Sequence, residues 1–295
     1  MGGSMKIALL FFFAFVFSCS LFAQPVFKKQ ISFLDFDARN PSFIEAGDFG
    51  YSSYWFGSLN ALLFEGYNDP LKPQIFALKY SAENDSFYAP TQITFSKGSC
   101  INPCGIKAQV GNLVDRDKII WQTNENGNWD ICYGELFGDS LRNIRFIAKD
   151  SLSDETNPRL LFHGRSGYGF DFAITYQKRG SIYLYFEVDT LKVTEKIFDA
   201  EGVDSFEYQN ASGELVMEFQ NKDYYGTIVA EKKIQNGEIK AVYKTRDYNL
   251  KSWGTEKYLY DSVSAIVNPL LIDGGGEFVS FEIEKAGKRQ LKFFN

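Results

Sequence analysis

The short run HGRSGYG, His163–Gly169, sets a serine beside the only histidine of the chain and invites a nucleophilic reading. Triad members must converge from separate places and need a third group to orient the base. Neighbours within one Gly-rich run read instead as a loop. TNENGNWD, Thr123–Asp130, offers Asn124, Asn126, Asn128 and Asp130 at alternate positions, rather like a calcium loop. Gly127 is misplaced for that purpose and no bidentate Glu closes the run, so it reads as a turn between strands. A glycoside hydrolase needs carboxylates that face each other across a pocket. The acids nearest inner-strand positions are Asp35, Asp37, Glu45, Glu207 and Asp273, with Glu207 the best placed, and they form no trio. Cys100 and Cys104, four apart in GSCINPCG, either close a small ring or stay reduced, and Cys132 is left over. One histidine and no second Cys pair leave zinc without ligands. The sequence therefore assigns no catalytic residue, no metal and no cofactor.

The elements that carry these residues repeat. Asn-Pro recurs at Asn40, Asn102, Asn157 and Asn268, and a degenerate copy, DSFEYQNASG, begins at Asp204. A strand pattern follows each, ending near an aromatic: Phe64, Trp121, Tyr176, Phe219 and Phe281, at intervals of 57, 55, 43 and 62. A polar turn and another strand come next, and an outer strand such as NIRFIAK can be drawn in most units. Repeats of this length, each a small sheet unable to bury both faces alone, predict an all-β fold, a β-propeller of four-stranded blades. Five blades are counted, or six if the last unit is two. Gln30–Asp35 is expected to supply the outer strand that closes the last blade.

Asn-Pro, strand, turn and strand, with NGNWDI opening the third strand, resemble TolB-type propeller repeats; NPCGIKAQVGNLVDRDKIIWQTNENGNWDICYGEL is the best copy. The resemblance covers most of residues 30–295 and lacks the usual Ser-Pro-Asp-Gly turn. It implies an envelope or secreted scaffold that binds proteins or glycans.

Composition agrees with a globular strand-rich chain: 295 residues, 45% hydrophobic, 17% aromatic, with Phe 29 and Tyr 17. A net charge of −6 without a dense basic run argues against nucleic acid as a partner. Residues 1–23 read as a short leader plus signal peptide, with Lys6 before the apolar Ile7–Phe17, and 24–295 as one propeller domain. Cutting after Ala23 gives a periplasmic or secreted protein. Lipidation of Cys19 gives an outer-membrane lipoprotein. No later segment is apolar enough to span a membrane.

In such a fold, the loops entering each inner strand and those joining the second and third strands lie at one end. They are expected to present Arg39, Tyr67, Asn68, Trp129, Lys178, Arg179, Asp223, Tyr224 and Tyr225. Tyr, Trp and Arg combine large contact area with polar tips. Ile234–Gly254, with Tyr243, Arg246, Tyr248 and Trp253, reads as an insertion in the fourth unit and as a second contact region. Asn236-Gly237 is its hairpin turn. The recurrent Asn is expected to serve the backbone rather than a ligand.

Overall fold

A computed structural model describes residues 36–46, 61–81, 86–107, 117–163, 172–188, 191–200, 206–218, 223–259, 266–272, 278–285 and 288–294. Among these there are strands and turns and no helix. The first sheet holds β1 (Asp37–Ala46), β2 (Ala61–Tyr67) and β3 (Gln74–Ser81), with short β4 (Ser86–Phe87) and β5 (Thr91–Gln92) on β3. The second is β6 (Cys100–Lys107), β7 (Asp117–Thr123), β8 (Asp130–Phe137) and β9 (Ser140–Ala148). The third is β10 (Glu155–Leu160), β12 (Phe172–Lys178), β13 (Ser181–Val188) and β14 (Leu191–Phe198), and β11 (Phe162–His163) follows β10 in the chain. The fourth is β15 (Phe206–Glu218), β16 (Asp223–Ile234), β17 (Ile239–Arg246) and β18 (Lys257–Tyr258). The last is β19 (Ile266–Ile272), β20 (Phe278–Lys285) and β21 (Lys288–Phe294).

Each sheet is an antiparallel meander, as expected of a blade. Neighbouring sheets also pair in parallel at two places: β1 with β6, and β11, just beyond β10, with β15. The proposed closing strand, Gln30–Asp35, lies outside the described residues.

The apolar residues explain the stacking. Ile119 and Trp121 face one cluster with Leu63, Ile75 and Cys132, while Ile120 faces another with Tyr133, Phe172 and Tyr185. Phe172 and Ile174 join that second cluster, and Ala173, Leu184 and Phe186 join a third with Leu215, Ile228 and Val242. The three clusters therefore lie between sheets one and two, two and three, and three and four. Strand residues alternate between faces, so a sheet buried on both needs nearly continuous apolar runs. IIW and FAIT are such runs.

The Asn repeat has one structural cause. Asn40, Asn102, Asn157 and Asn210 have φ of 48°, 51°, 54° and 43°. Each sits where the register of the first and second strands shifts, and the same shift recurs around Asn268. Asn tolerates the left-handed region, and a bulge leaves a position without a ladder partner, where Pro loses nothing by lacking an N–H. The structural reading of the Asn holds.

That bulge decides between two alternatives the sequence left open. Residues four apart on a regular strand share a face, but the extra residue at Asn102-Pro103 sends Cys100 and Cys104 into different clusters. Among the described residues, Cys100, Cys104 and Cys132 carry no disulfide. Burial pushes the Cys100 thiol up from its ordinary value.

The fourth unit corrects an expectation. ELVME continues β15 and is not a second strand; the second strand is β16. Ile239–Arg246 is the ordinary third strand rather than an insertion, and Asn236-Gly237 makes the turn before it as expected. In the corrected register the residue before each Asn faces Glu65, Gln122, Gln177, Glu231 and Glu282, at intervals of 57, 55, 54 and 51.

Candidate functional site

These facing residues form a polar belt. Asn40 Nδ2 donates to Glu65 Oε1 at 2.8 Å, Asn102 Nδ2 to Gln122 Oε1 at 2.8 Å, Asn157 Nδ2 to Gln177 Oε1 at 3.0 Å and Asn210 Nδ2 to Glu231 Oε2 at 3.1 Å. The same acceptors reach the next sheet. Asn102 N–H donates to Glu65 Oε1 at 2.7 Å, and Asn157 N–H to Gln122 Oε1 at 2.8 Å. The bulge removes those N–H groups from their own ladder, and buried donors need partners. The neighbouring sheet supplies them. Glu65 is fully buried and Gln122 nearly so.

The first strands begin at one end, here the near end, where the turns between second and third strands also lie. In the first sheet Arg39 stacks over the Tyr67 ring at 4.5 Å and pairs with Asp37 at 2.5 Å. Tyr67 Oη donates to Glu65 Oε2 at 2.9 Å. Burial, then this bond to a carboxylate, pushes the Tyr67 phenol above its ordinary value. Asn68 is exposed in the adjoining turn.

Hydrogen bonds tie each near-end loop to the next. Gln74 clamps the linker before β6, accepting from Ser96 N–H at 3.0 Å and donating to Gly98 O at 2.9 Å. Ser99 N–H donates to Asn124 Oδ1 at 2.6 Å, and Asn124 N–H returns to Ser99 O at 3.2 Å. Asn126 donates to the buried Asp130 at 3.1 Å. The polar groups that resemble a calcium loop are thus engaged in holding the turn. Trp129 N–H donates to Asp154 Oδ1 at 2.9 Å, and Trp129 O accepts from Glu155 N–H at 2.7 Å. Lys178 pairs with Asp150 at 2.9 Å and with the fully buried Glu155 at 3.0 Å. Arg179 and Gly180, with φ of 50° and 70°, make the two-residue hairpin that follows.

Asp150 is held at about 2 by the Leu152 N–H, then by Lys178 and Ser153. A depressed carboxylate contributes stability above its unfolded value, near 3.8, and loses it as pH falls toward about 2. Asp150→Asn is therefore expected to flatten the acid limb of a stability–pH profile between about pH 4 and 2 and to lower stability at neutral pH. Chemical denaturation across that range checks it; an unchanged acid limb contradicts it.

Arg39, Tyr67, Asn68, Trp129, Lys178 and Arg179 thus share the near end. Asp223, Tyr224 and Tyr225 do not, which corrects their expected placement. Because ELVME belongs to β15, Asp223 opens the second strand, and the β15–β16 connection lies at the opposite end. There Asp223 pairs with Arg246 at 2.9 Å and Lys251 at 3.1 Å, and Arg246 lies 4.0 Å from the Tyr224 ring centre. Tyr224 is buried against Phe186, while Tyr225 meets Tyr248 edge-on. Structure therefore joins the fourth-unit residues with the supposed insertion, away from the rim. The nitrogens Arg246 Nε and Trp253 Nε1 are buried there without a hydrogen-bond partner.

Among the acids, Asp37 is paired with Arg39, and Glu207 lies 3.6 Å from Lys233. Ser166, Asp35 and Asp273 lie outside the described residues, as does the side chain of Glu45. Among the described residues no group of three His, Cys, Asp or Glu could hold a metal ion, and no helix is long and apolar enough to cross a membrane.

Neither a family model nor a curated protein matches this chain. The reading of its site rests on its own residues. Sequence reasoning missed Leu71, Phe95 and Leu152, which stand exposed on near-end loops, and it missed the belt. The signal for the belt was a Glu or Gln after an apolar residue, in FEG, WQT, YQK and AEK.

Proposed function

We propose that the chain is an exported β-propeller of TolB-type repeats, closed by its N-terminal strand, that binds an envelope or extracellular protein or glycan through its near-end rim. Export places it in the periplasm or outside the cell, with Cys19 available for a lipid anchor. The observation that carries this reading is the rim itself. Its loops are fixed to one another by side-chain and backbone hydrogen bonds from Gln74 to Lys178, and they present Arg39 on Tyr67, Trp129 and Arg179. A loop already ordered loses little freedom on binding, so its contacts appear as affinity. Repeated sheets stacked face to face supply the rigid support.

Affinity capture from a detergent-solubilised envelope extract of the host tests it. The chain is expected to retain a protein that Trp129→Ala with Arg179→Ala loses, because anchors of these types commonly cost about 2 kcal/mol or more when truncated. Retention by both forms would move the site away from the rim. No enriched protein would direct the test to glycans.

A further inference from the structure

Asn-Gly occurs twice in the chain, at Asn126-Gly127 and at Asn236-Gly237. The pair has a chemistry of its own. With no Cβ on the second residue, its backbone nitrogen can reach the side-chain carbon of the Asn. Both pairs lie in exposed tight turns, with φ of 99° at Gly127 and 82° at Gly237. A Cβ placed on either glycine would meet nothing within 4 Å, so neither turn is crowded there. Each glycine N–H closes its turn, Gly127 on Asn124 O at 3.0 Å and Gly237 on Ile234 O at 2.8 Å. The two backbones are alike, and the side-chain partners separate them.

Asn236 Oδ1 accepts from Glu238 N–H at 2.9 Å. A carboxylate at that position keeps the acceptor. The Glu238 carboxylate is 3.5 Å from the Asn236 amide nitrogen, but it is half-buried and lies 3.6 Å from Lys240. Asn126 is used the other way round. Its Nδ2 donates to Asp130 Oδ2 at 3.1 Å, and Asp130, the first residue of β8, is only 1% exposed. A carboxylate at Asn126 exchanges that donor for a second acceptor, against an acid that solvent hardly reaches.

We propose that Asn126 is a self-modification site, whose conversion to aspartate or isoaspartate unlocks the near-end turn before β8. The Gly127 nitrogen attacks Asn126 Cγ. The N–Cγ bond forms, the Cγ–Nδ2 bond breaks, and the amide nitrogen leaves as ammonia with the Gly127 proton. Water then adds its hydroxyl to one of the two imide carbonyls and returns a proton to the nitrogen. The product carries one new carboxylate. Its main chain is normal, or runs through the former side chain. The bond from Gly127 N–H to Asn124 O slows the attack, so the step proceeds from turns that have opened. Two carboxylates at donor–acceptor distance do not both stay charged in place, so the tie to Asp130 is lost. Isoaspartate also lengthens the main chain between Asn124 O and Gly127 N–H. The change reaches both neighbouring linkers, through Asn124 on Ser99 and Trp129 on Asp154. Its effect on a partner rests on the rim reading above; the modification itself does not.

Incubation of the full chain in heavy-oxygen water at mildly alkaline pH, followed by peptide mapping, tests the site, because opening of the imide writes solvent oxygen into the new carboxylate. Label is expected at Asn126, and far less in Asn126→Gln, whose longer side chain closes the ring slowly. Asn126→Asp stands in for the product. Its Asn124 and Gly127 amides are expected to exchange hydrogen about tenfold faster or more, the worth of one lost bond to a charged group. Paired carboxylates hold a proton more tightly in the folded chain than in the unfolded one. The deficit is therefore present at neutral pH and narrows as pH falls. Asn236→Asp should leave exchange in its own turn near that of the parent. Label confined to Asn236, or none at Asn126 when the urea-unfolded chain labels at both, would overturn the site. Parental exchange in Asn126→Asp would overturn its consequence. The labelling needs no partner, so its failure and that of the rim reading are told apart.

Discussion

Glu65→Leu is expected to destabilise the fold by about 2–4 kcal/mol, and Glu65→Gln by less than about 1 kcal/mol. Glu65 Oε1 accepts from Asn40 Nδ2 in its own sheet and from Asn102 N–H in the next, and Oε2 accepts from Tyr67. Glu65 is fully buried, Asn102 and Tyr67 are half-buried and Asn40 is exposed, so water replaces these bonds only in part. Leu leaves the donors unsatisfied, at about 1–3 kcal/mol for each buried group. Gln keeps the oxygen that serves both Asn groups. The protein already makes this exchange, for Gln122 and Gln177 occupy the same register with the same Asn partners. Urea midpoints of the two variants decide the matter. Equal midpoints would mean that the belt does not bind one sheet to the next.

Phe172→Ala is expected to cost about 3–5 kcal/mol, near the upper range for a single truncation. Phe172 is fully buried, with ring centres 5.1 Å from Tyr133 and 5.9 Å from Tyr185. Tyr133 belongs to the second sheet and Tyr185 to the third, so the ring fills the gap between them. Little can collapse into a space bounded by two β-sheets, and the cavity adds to the lost transfer energy. Leu152→Ala on the rim is expected to change stability by less than about 0.5 kcal/mol. Thermal or urea unfolding of the two variants gives the contrast directly. A Phe172→Ala variant as stable as Leu152→Ala would remove the packed interface between sheets two and three.

Most of the strand architecture was legible because the Asn-Pro bulge marks the first strand and IIWQ or FAITY marks the second. The fourth unit was not. There Ala211 replaces the proline, Ala230 replaces the aromatic before Glu231, and NASG imitates a turn inside one long strand. Local turn preference and the true bulge use the same residue types, so only pairing separates them. Gly213 shows what the strand requires: a Cβ there would lie 2.3 Å from Thr227 O, so that glycine serves close strand approach rather than a turn. The misread register carried Asp223, Tyr224 and Tyr225 to the wrong end.

The rim was legible in part. Arg39, Tyr67, Trp129, Lys178 and Arg179 lie at turns that sequence places well. The use of Asp69, Asp150 and Asp154 as acceptors for loop N–H groups was not legible, since it depends on which backbone N–H each carboxylate meets. The Cys100–Cys104 spacing left two outcomes open for a related reason. Four residues of regular strand and four residues across a bulge place the second thiol on opposite faces.

Hydrogen–deuterium exchange of the full chain, with and without a captured partner, tests the central claim most directly. A near-end binding rim predicts added protection on residues 69–73, 95–99, 124–129, 150–155 and 178–179, with little change at Asp223–Tyr225 or in the loop of Tyr248 and Leu250. Protection confined to that far-end loop, or to outer strands such as Ser140–Ala148, would contradict a binding rim at the near end.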